Sequence, residues 1–222
     1  MVKRRALITG GSRGIGKAIV DLLEDKGIFV LAPSRKEMNL LSDSAIDKYL
    51  SSLKKPIDII INNAGINLLS AGYELEEDNI RESLQVNLLA PLRIIRKIIP
   101  DMMHQKYGRI VNISSIWSVI TKPRRLTYTM TKSGLNGMTK SLAIELAPYN
   151  ILVNCIAPGY VNTELTRKNN SSEEIENIKN TIPLKRLSEP VEIAEIVSFL
   201  VSEKNSYITG QVIIADGGYT CL

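Results

Sequence analysis

Short apolar runs alternate along this chain with longer stretches whose apolar residues return every three or four positions. The runs are Ala6-Leu7-Ile8, Phe29-Val30-Leu31-Ala32, Ile57-Asp58-Ile59-Ile60-Ile61, Ile110-Val111-Asn112-Ile113, Leu152 to Ile156, and Val212-Ile213-Ile214-Ala215. Near-continuous apolar strands are what a parallel sheet covered on both faces requires, because neither face meets water. Between the runs, Ile15, Ile19, Leu22 and Leu23 share one face of a first helix. Leu84, Leu88, Leu92, Ile95 and Ile99 mark a second helix, which Pro100 is expected to stop. Leu135, Met138, Leu142 and Leu146 mark a third, stopped by Pro148, and a fourth runs from Pro190 through Ile193, Val197 and Leu200. Strands alternating with helices predict an α/β fold, a single doubly wound parallel sheet with helices on both faces. No repeat, linker or second domain interrupts the pattern, so residues 1–222 read as one domain.

Composition narrows the class. A hydrophobic content of 44% with 23% charged residues fits a soluble globular protein with a substantial core. The net charge of +5 is spread along the chain rather than gathered in a tail, and aromatic content is only 5%. Nucleic-acid binding, which needs a basic stripe with stacking aromatics, is therefore not expected. Cys155 lies inside an apolar run and reads as a small core residue; Cys221 is far from it, and His104 is the single histidine. No metal-ligand spacing results. The apolar stretch after Met1-Val2-Lys3-Arg4-Arg5 ends at Thr9-Gly10, too short for a signal-peptide core, and no segment is long enough to span a bilayer. These features predict a cytoplasmic protein with reduced thiols and no membrane partner.

Two features carry chemistry. Tyr128 has Lys132 four residues downstream, so phenol and ammonium share a helix face, and Ser115 lies thirteen residues upstream. A positive charge beside a phenol favours phenolate and should lower a pKa that starts near ~10, making Tyr128 a candidate proton donor. The second feature is Thr9-Gly10-Gly11-Ser12-Arg13-Gly14-Ile15-Gly16, which follows a strand and opens a helix. Glycines there let the backbone turn sharply and let a pyrophosphate approach free N–H groups at the helix N-terminus. A tuned acid and a nucleotide cradle on one chain suggest redox chemistry on a carbonyl or alcohol.

The glycine spacing resembles the T-G-x-x-x-G-x-G of the short-chain dehydrogenase/reductase family, and further motifs follow in order. Asn62-Asn63-Ala64-Gly65 resembles the N-N-A-G signature, Asn87 the helical Asn of a catalytic tetrad, and Ile113-Ser114-Ser115 the strand end bearing the catalytic serine. Tyr128-x-x-x-Lys132 matches Y-x-x-x-K, and Pro158-Gly159-Tyr160-Val161-Asn162-Thr163 resembles the segment beside the nicotinamide carboxamide. Ile208-Thr209-Gly210-Gln211 with Asp216-Gly217-Gly218 resembles the C-terminal strand. The resemblance implies a catalytic set of Asn87, Ser115, Tyr128 and Lys132. Tyr128 would protonate a carbonyl oxygen held by Ser115. Lys132 would lower the tyrosine pKa and bind the nicotinamide ribose, and Asn87 would order a water linking Lys132 to solvent.

The resemblance also implies a cofactor site. It would draw on Gly10, Ser12, Arg13, Gly14, Ile15 and Gly16, then on Asn63, Ala64 and Gly65, with Tyr128 and Lys132. Pro158, Gly159, Val161 and Thr163 would serve the nicotinamide end, and Ser34, Arg35, Asn39 and Leu40 the adenosine end. Family members that select NAD place an acid at the end of the second strand; here Ser34 stands there with Arg35 beside it, and Arg13 faces the same place. Two guanidiniums suit a 2′-phosphate, so the expected cofactor is NADPH/NADP+. The helix usual between the second and third strands is absent. Glu37-Met38-Asn39-Leu40-Leu41 reads as the third strand, with a short helix near 44–53 after it. Asn39 then stands where the family has an adenine-facing acid, and the sheet edge beside the adenine pocket should be less covered.

Substrate is less legible. The segment from Trp117 to Leu126 borders the substrate mouth in the family and here carries Lys122, Arg124 and Arg125; the lid after Thr163 carries Arg167 and Lys168. Their charge favours an anionic substrate or carrier, with solvated surface charge as the alternative. The pattern is nearest the 3-oxoacyl-[acyl-carrier-protein] reductases, which implies reduction of a small-molecule or carrier-bound carbonyl to a secondary alcohol. The alternative is a small polar or anionic metabolite such as a sugar derivative. Stretches 76–99 and 128–147 resemble the family's dimer faces and the C-terminal strand its second interface, which implies a homotetramer, or a dimer.

Overall fold

The computed structural model describes residues 3–222, so Met1 and Val2 of the basic start lie outside it. Six strands form one parallel sheet in the order β2-β1-β3-β4-β5-β6. They are β1 (Arg5–Ile8), β2 (Phe29–Leu31), β3 (Ile59–Asn62), β4 (Gly108–Ile113), β5 (Ile151–Pro158) and β6 (Val212–Ala215). The helices are α1 (Gly14–Asp25), α2 (Asp43–Ser51), α3 (Glu77–Leu84), α4 (Ala90–Gln105), α5 (Leu126–Leu146), α6 (Glu164–Asn169), α7 (Ser172–Thr181) and α8 (Pro190–Val201).

Alternation within the strands feeds two cores, as the apolar runs require. Ala6, Ile8, Ile59, Ile61, Val111 and Ile156 face one way, onto Ile19 and Leu23 of α1 and Val197 of α8. Leu7, Ile60, Ile110 and Val153 face the other way, onto Ile46 of α2, Ile94, Ile95 and Ile98 of α4, and Leu146 of α5. Each such fully buried aliphatic side chain stabilises the fold by ~1.5–3 kcal/mol relative to exposure. From β1 the chain moves outward to β2 on one side and to β3 on the other. This reversal opens a crevice above the carboxyl ends of β1 and β3, where ligands of doubly wound folds bind.

Three local expectations are corrected. Residues 37–41 are not a strand. Glu37 and Met38 donate backbone N–H groups to the Ser34 carbonyl, and Asn39 Oδ1 accepts from the Leu41 N–H at 3.1 Å. With these N–H groups satisfied locally and Met38 buried in the second core, the segment does not pair with β2. The edge of the sheet is therefore β2 itself, with Phe29 at its amino end 43% exposed. The second correction concerns Pro100, which lies inside α4 rather than ending it. Its ring faces solvent, where water can satisfy the carbonyl freed one turn earlier. Third, the single helix expected through Leu84 and Leu88 is broken by a π-helical turn over Gln85–Leu89.

Candidate active site

The glycine loop is held by the end of β3. Thr9 Oγ1 accepts from the Asn63 and Ala64 N–H groups at 3.1 and 3.0 Å, while the Asn63 amide donates to the Thr9 and Gly10 carbonyls at 3.1 and 3.0 Å. Gly16 packs beneath this latch so closely that a Cβ there would sit 2.1 Å from the Gly10 carbonyl oxygen. Gly10 and Gly14 both turn through positive φ, +69° and +54°. At the α1 N-terminus, Arg13 provides no side-chain cap and the first turn carries no acid. Its N–H groups therefore remain open toward the crevice, which fits a diphosphate.

The opposite wall comes from the ends of β4 and β5 and the start of α5. Ser114 is pinned by its N–H to the Ile156 carbonyl at 2.7 Å and its hydroxyl to the Lys132 carbonyl at 3.1 Å. Ser115 therefore presents its hydroxyl to the cleft, where it accepts from the Trp117 N–H at 3.3 Å. Lys132, 3% exposed, donates from Nζ to the Ile113 carbonyl at 2.7 Å. Its Nζ lies 5.6 Å from the centre of the Tyr128 ring. A Cβ on Gly65 would come 3.4 Å from that Nζ and 3.3 Å from Asn87 Oδ1, so glycine is what lets the two groups approach the strand exit. Asn87 sits in the π-helical turn, a distortion that recurs at functional sites.

Burial sets the electrostatics. It pushes the Tyr128 phenol above its ordinary pKa, against the hydrogen bond from Ser115 and the Arg125 charge, which pull it down. The expected downward shift from Lys132 is not found; the nearby cation that opposes burial is Arg125. Lys132 itself is lowered to about 8, because burial disfavours its ammonium. Burial pushes the Cys155 thiol up to about 11, as fits a small core residue.

These walls enclose a cleft of about 360 Å³. Gly10, Ser12, Arg13, Gly14, Ile15 and Gly16 line it, as do Asn63, Ala64 and Gly65. Ser115, Tyr128 and Lys132 line it too, with Pro158, Gly159, Val161 and Thr163 completing the expected set. Five expected residues are not on its surface. Asn87 is fully buried behind the wall, accepting from the Ile66 N–H and donating to the Ile66 carbonyl and Thr131 Oγ1. Its amide is thus occupied in tying the β3 exit to α5. Ser34, Arg35, Asn39 and Leu40 lie around the β2 exit, and the Leu40 carbonyl accepts from Gln85 Nε2 at 3.1 Å.

The sequence reading missed three participants. Glu37 accepts from the Ser34 N–H and hydroxyl at 2.8 and 2.7 Å, which holds its carboxyl below the usual range. An acid therefore stands in the turn that follows the second strand, three residues after the expected place and bonded to it; the Ser-x-x-Glu capping spacing was the available signal. Glu164 of α6 pairs with Arg13 at 3.1 Å, joining lid to loop. Arg125, noted only as part of a basic loop, is buried on the cleft wall.

A family model described as enoyl-(acyl carrier protein) reductase matches residues 37–220. The chain belongs to the short-chain dehydrogenase/reductase family. It is 39% identical to the 3-oxoacyl-[acyl-carrier-protein] reductase of Aquifex aeolicus, with 96% of each chain covered. An uncharacterized oxidoreductase of Bacillus subtilis is 34% identical over 99% of this chain and all of that one (100%). Among solved structures, 4-hydroxyisoleucine dehydrogenase complexed with NADH superimposes with a TM-score of 0.94 at 29% identity, covering 99% of this chain and 100% of that one. An NADPH-dependent reductase involved in bacilysin biosynthesis gives 0.89 at 27%, covering 98% of each. This short-chain family member is an oxidoreductase, and no helix among its described residues is long and apolar enough to cross a membrane.

Proposed function

We propose that the protein is an NADPH-dependent reductase that converts a carbonyl to a secondary alcohol, with Tyr128 as general acid. The observation that carries this reading is the convergence of Ser115, Tyr128 and the buried Lys132 on a cleft whose other wall is an uncapped helix N-terminus. The glycine loop and the open α1 terminus would hold the diphosphate, with Asn63 fixing their shape. A bound nicotinamide supplies the hydride. Ser115 donates a hydrogen bond to the carbonyl oxygen, and Tyr128 gives it a proton, assistance typically worth ~10²–10⁴-fold. Lys132 would hold the ribose, while the Ser115 hydrogen bond and the Arg125 charge favour the phenolate as it forms. Asn87 would act as a positioning residue that ties Ile66 at the β3 exit to Thr131 of α5.

The preference for NADPH rests on Arg35, exposed and in no ion pair among the described residues, and on Arg13, which would exchange Glu164 for the 2′-phosphate. Glu37 opposes it by charge. Among substrates, a 3-oxoacyl thioester is supported by the sequence relatives, and a small anionic carbonyl compound by the buried Arg125. Exposed Leu126, Met130 and Ile144 on α5, with Phe199 on α8 and Ile214 on β6, support a homo-oligomer through both faces. The test is oxidation of NADPH, beside NADH, with an acetoacetyl-pantetheine thioester and with free oxo acids. Turnover with NADPH supports the reading; tight NADPH binding with no turnover of any carbonyl would overturn it.

A further inference from the structure

Arg125 is the least compensated charge near the candidate chemistry. It is 5% exposed, its Nε has no hydrogen-bond partner, and it forms no ion pair among the described residues. Its guanidinium carbon stacks 5.0 Å from the centre of the Trp117 ring, and both residues line the cleft that holds Tyr128. The phenols of Tyr128 and Tyr160 are the groups whose charge would favour it, and both are themselves pushed toward the neutral form by burial. The neighbouring cations differ. Arg124 is exposed, and Lys122 already donates to Tyr160 Oη at 3.3 Å. The position of Arg125 is not accidental, since its backbone bridges to Ser70 and it is the N-cap residue of α5, three residues before Tyr128. A buried guanidinium with no anion is unfavourable unless a ligand brings one.

The geometry points to Arg125 as the receptor for a carboxylate on the substrate itself, so that the reductase acts on oxo acids carrying a free carboxylate a few bonds from the ketone. The planar fork of a guanidinium, fixed by stacking, matches a carboxylate in paired hydrogen bonds. A pantetheine thioester has no charge near its ketone, and its phosphate lies a full pantetheine arm away from a cation three residues from the acid. This assignment rests on the carbonyl-reductase reading but can fail separately from it.

Trp117 is the chain's single tryptophan, so its fluorescence reports on this site without turnover. Pyruvate, acetoacetate and levulinate, which vary the spacing between ketone and carboxylate, are titrated in the presence of NADP+ beside their methyl esters. At least one acid should give a saturable change with an affinity ~10-fold or more above its ester. Arg125→Gln should abolish that preference, Arg125→Lys should retain part of it, and Arg124→Gln should leave it intact. Equal responses to acids and esters, or an acid preference that survives Arg125→Gln in a variant still binding NADP+, would overturn the assignment. A charge-dependent response without NADPH oxidation would instead leave the carboxylate site standing and count against the reductase reading.

Discussion

The cleft wall around Tyr128 and the proposed adenosine side beyond the cleft are built by opposite means. At the reacting end, polar side chains are buried and tied to backbone: Lys132 to Ile113, Ser114 to Lys132, Asn87 to both sides of Ile66. At the adenosine end, Arg35 and Glu37 are exposed, and the ion pair of Arg13 with Glu164 lies in solvent, its side chains 73% and 69% exposed. A buried hydrogen-bonded group has one low-energy place, because leaving it unpaired costs ~1–3 kcal/mol. An exposed ion pair is worth ~0–1 kcal/mol and can exchange partners. The proposed reacting end is thus fixed before substrate arrives, whereas the proposed adenosine end would select among cofactors by small changes of charge.

Breaking the join between the two ends should have the largest effect on stability. Gly16→Ala would drive a Cβ into the Gly10 carbonyl and the Asn63 amide, at 2.1 and 2.4 Å. We expect about 4 kcal/mol of destabilisation with loss of cofactor binding, read by thermal melts and cofactor titration. A variant that melts and binds normally would show that the loop is not latched by close packing. Selection at the open end should respond less, and without loss of fold. Arg35→Asp should shift preference from NADPH toward NADH by roughly 10-fold or more, while Glu37→Gln should favour NADPH by a few fold; an unmoved ratio of dissociation constants in both would refute the charge reading.

A further expected effect lies at the buried end and is one of pH. Lys132 has a folded pKa of about 8 against an unfolded value near ~10.4. Between those values the unfolded chain holds more protons, so this group makes stability rise as pH increases through that window. Lys132→Met should flatten that rise in denaturant melts at several pH values. An identical slope in wild type and variant would mean that another group dominates.

The same contrast explains what could be read from the chain. Apolar runs exposed the sheet, since burial on both faces leaves a one-dimensional trace; helix spacing paired Tyr128 with Lys132, and the family resemblance picked out Ser115 beside them. The adenosine end was not. Glu37 follows Ser34 at capping distance, yet the apolar Met38, Leu40 and Leu41 imitate a strand, and only local turns and the burial of Met38 decide otherwise. The π-helical turn at Asn87 leaves no sequence signature that separates it from an ordinary helix. From spacing alone Lys132 reads as the charge that tunes Tyr128, because spacing gives proximity but not the desolvation that outweighs it.

In the proposed reaction Tyr128 delivers the proton, in a site assembled independently of it. Single-turnover oxidation of bound NADPH by Tyr128→Phe, beside the wild type and with the best carbonyl substrate, tests this most directly. The expected result is a rate loss of ~10²–10⁴-fold with NADPH affinity unchanged. A Tyr128→Phe variant that turns over at the wild-type rate would contradict it.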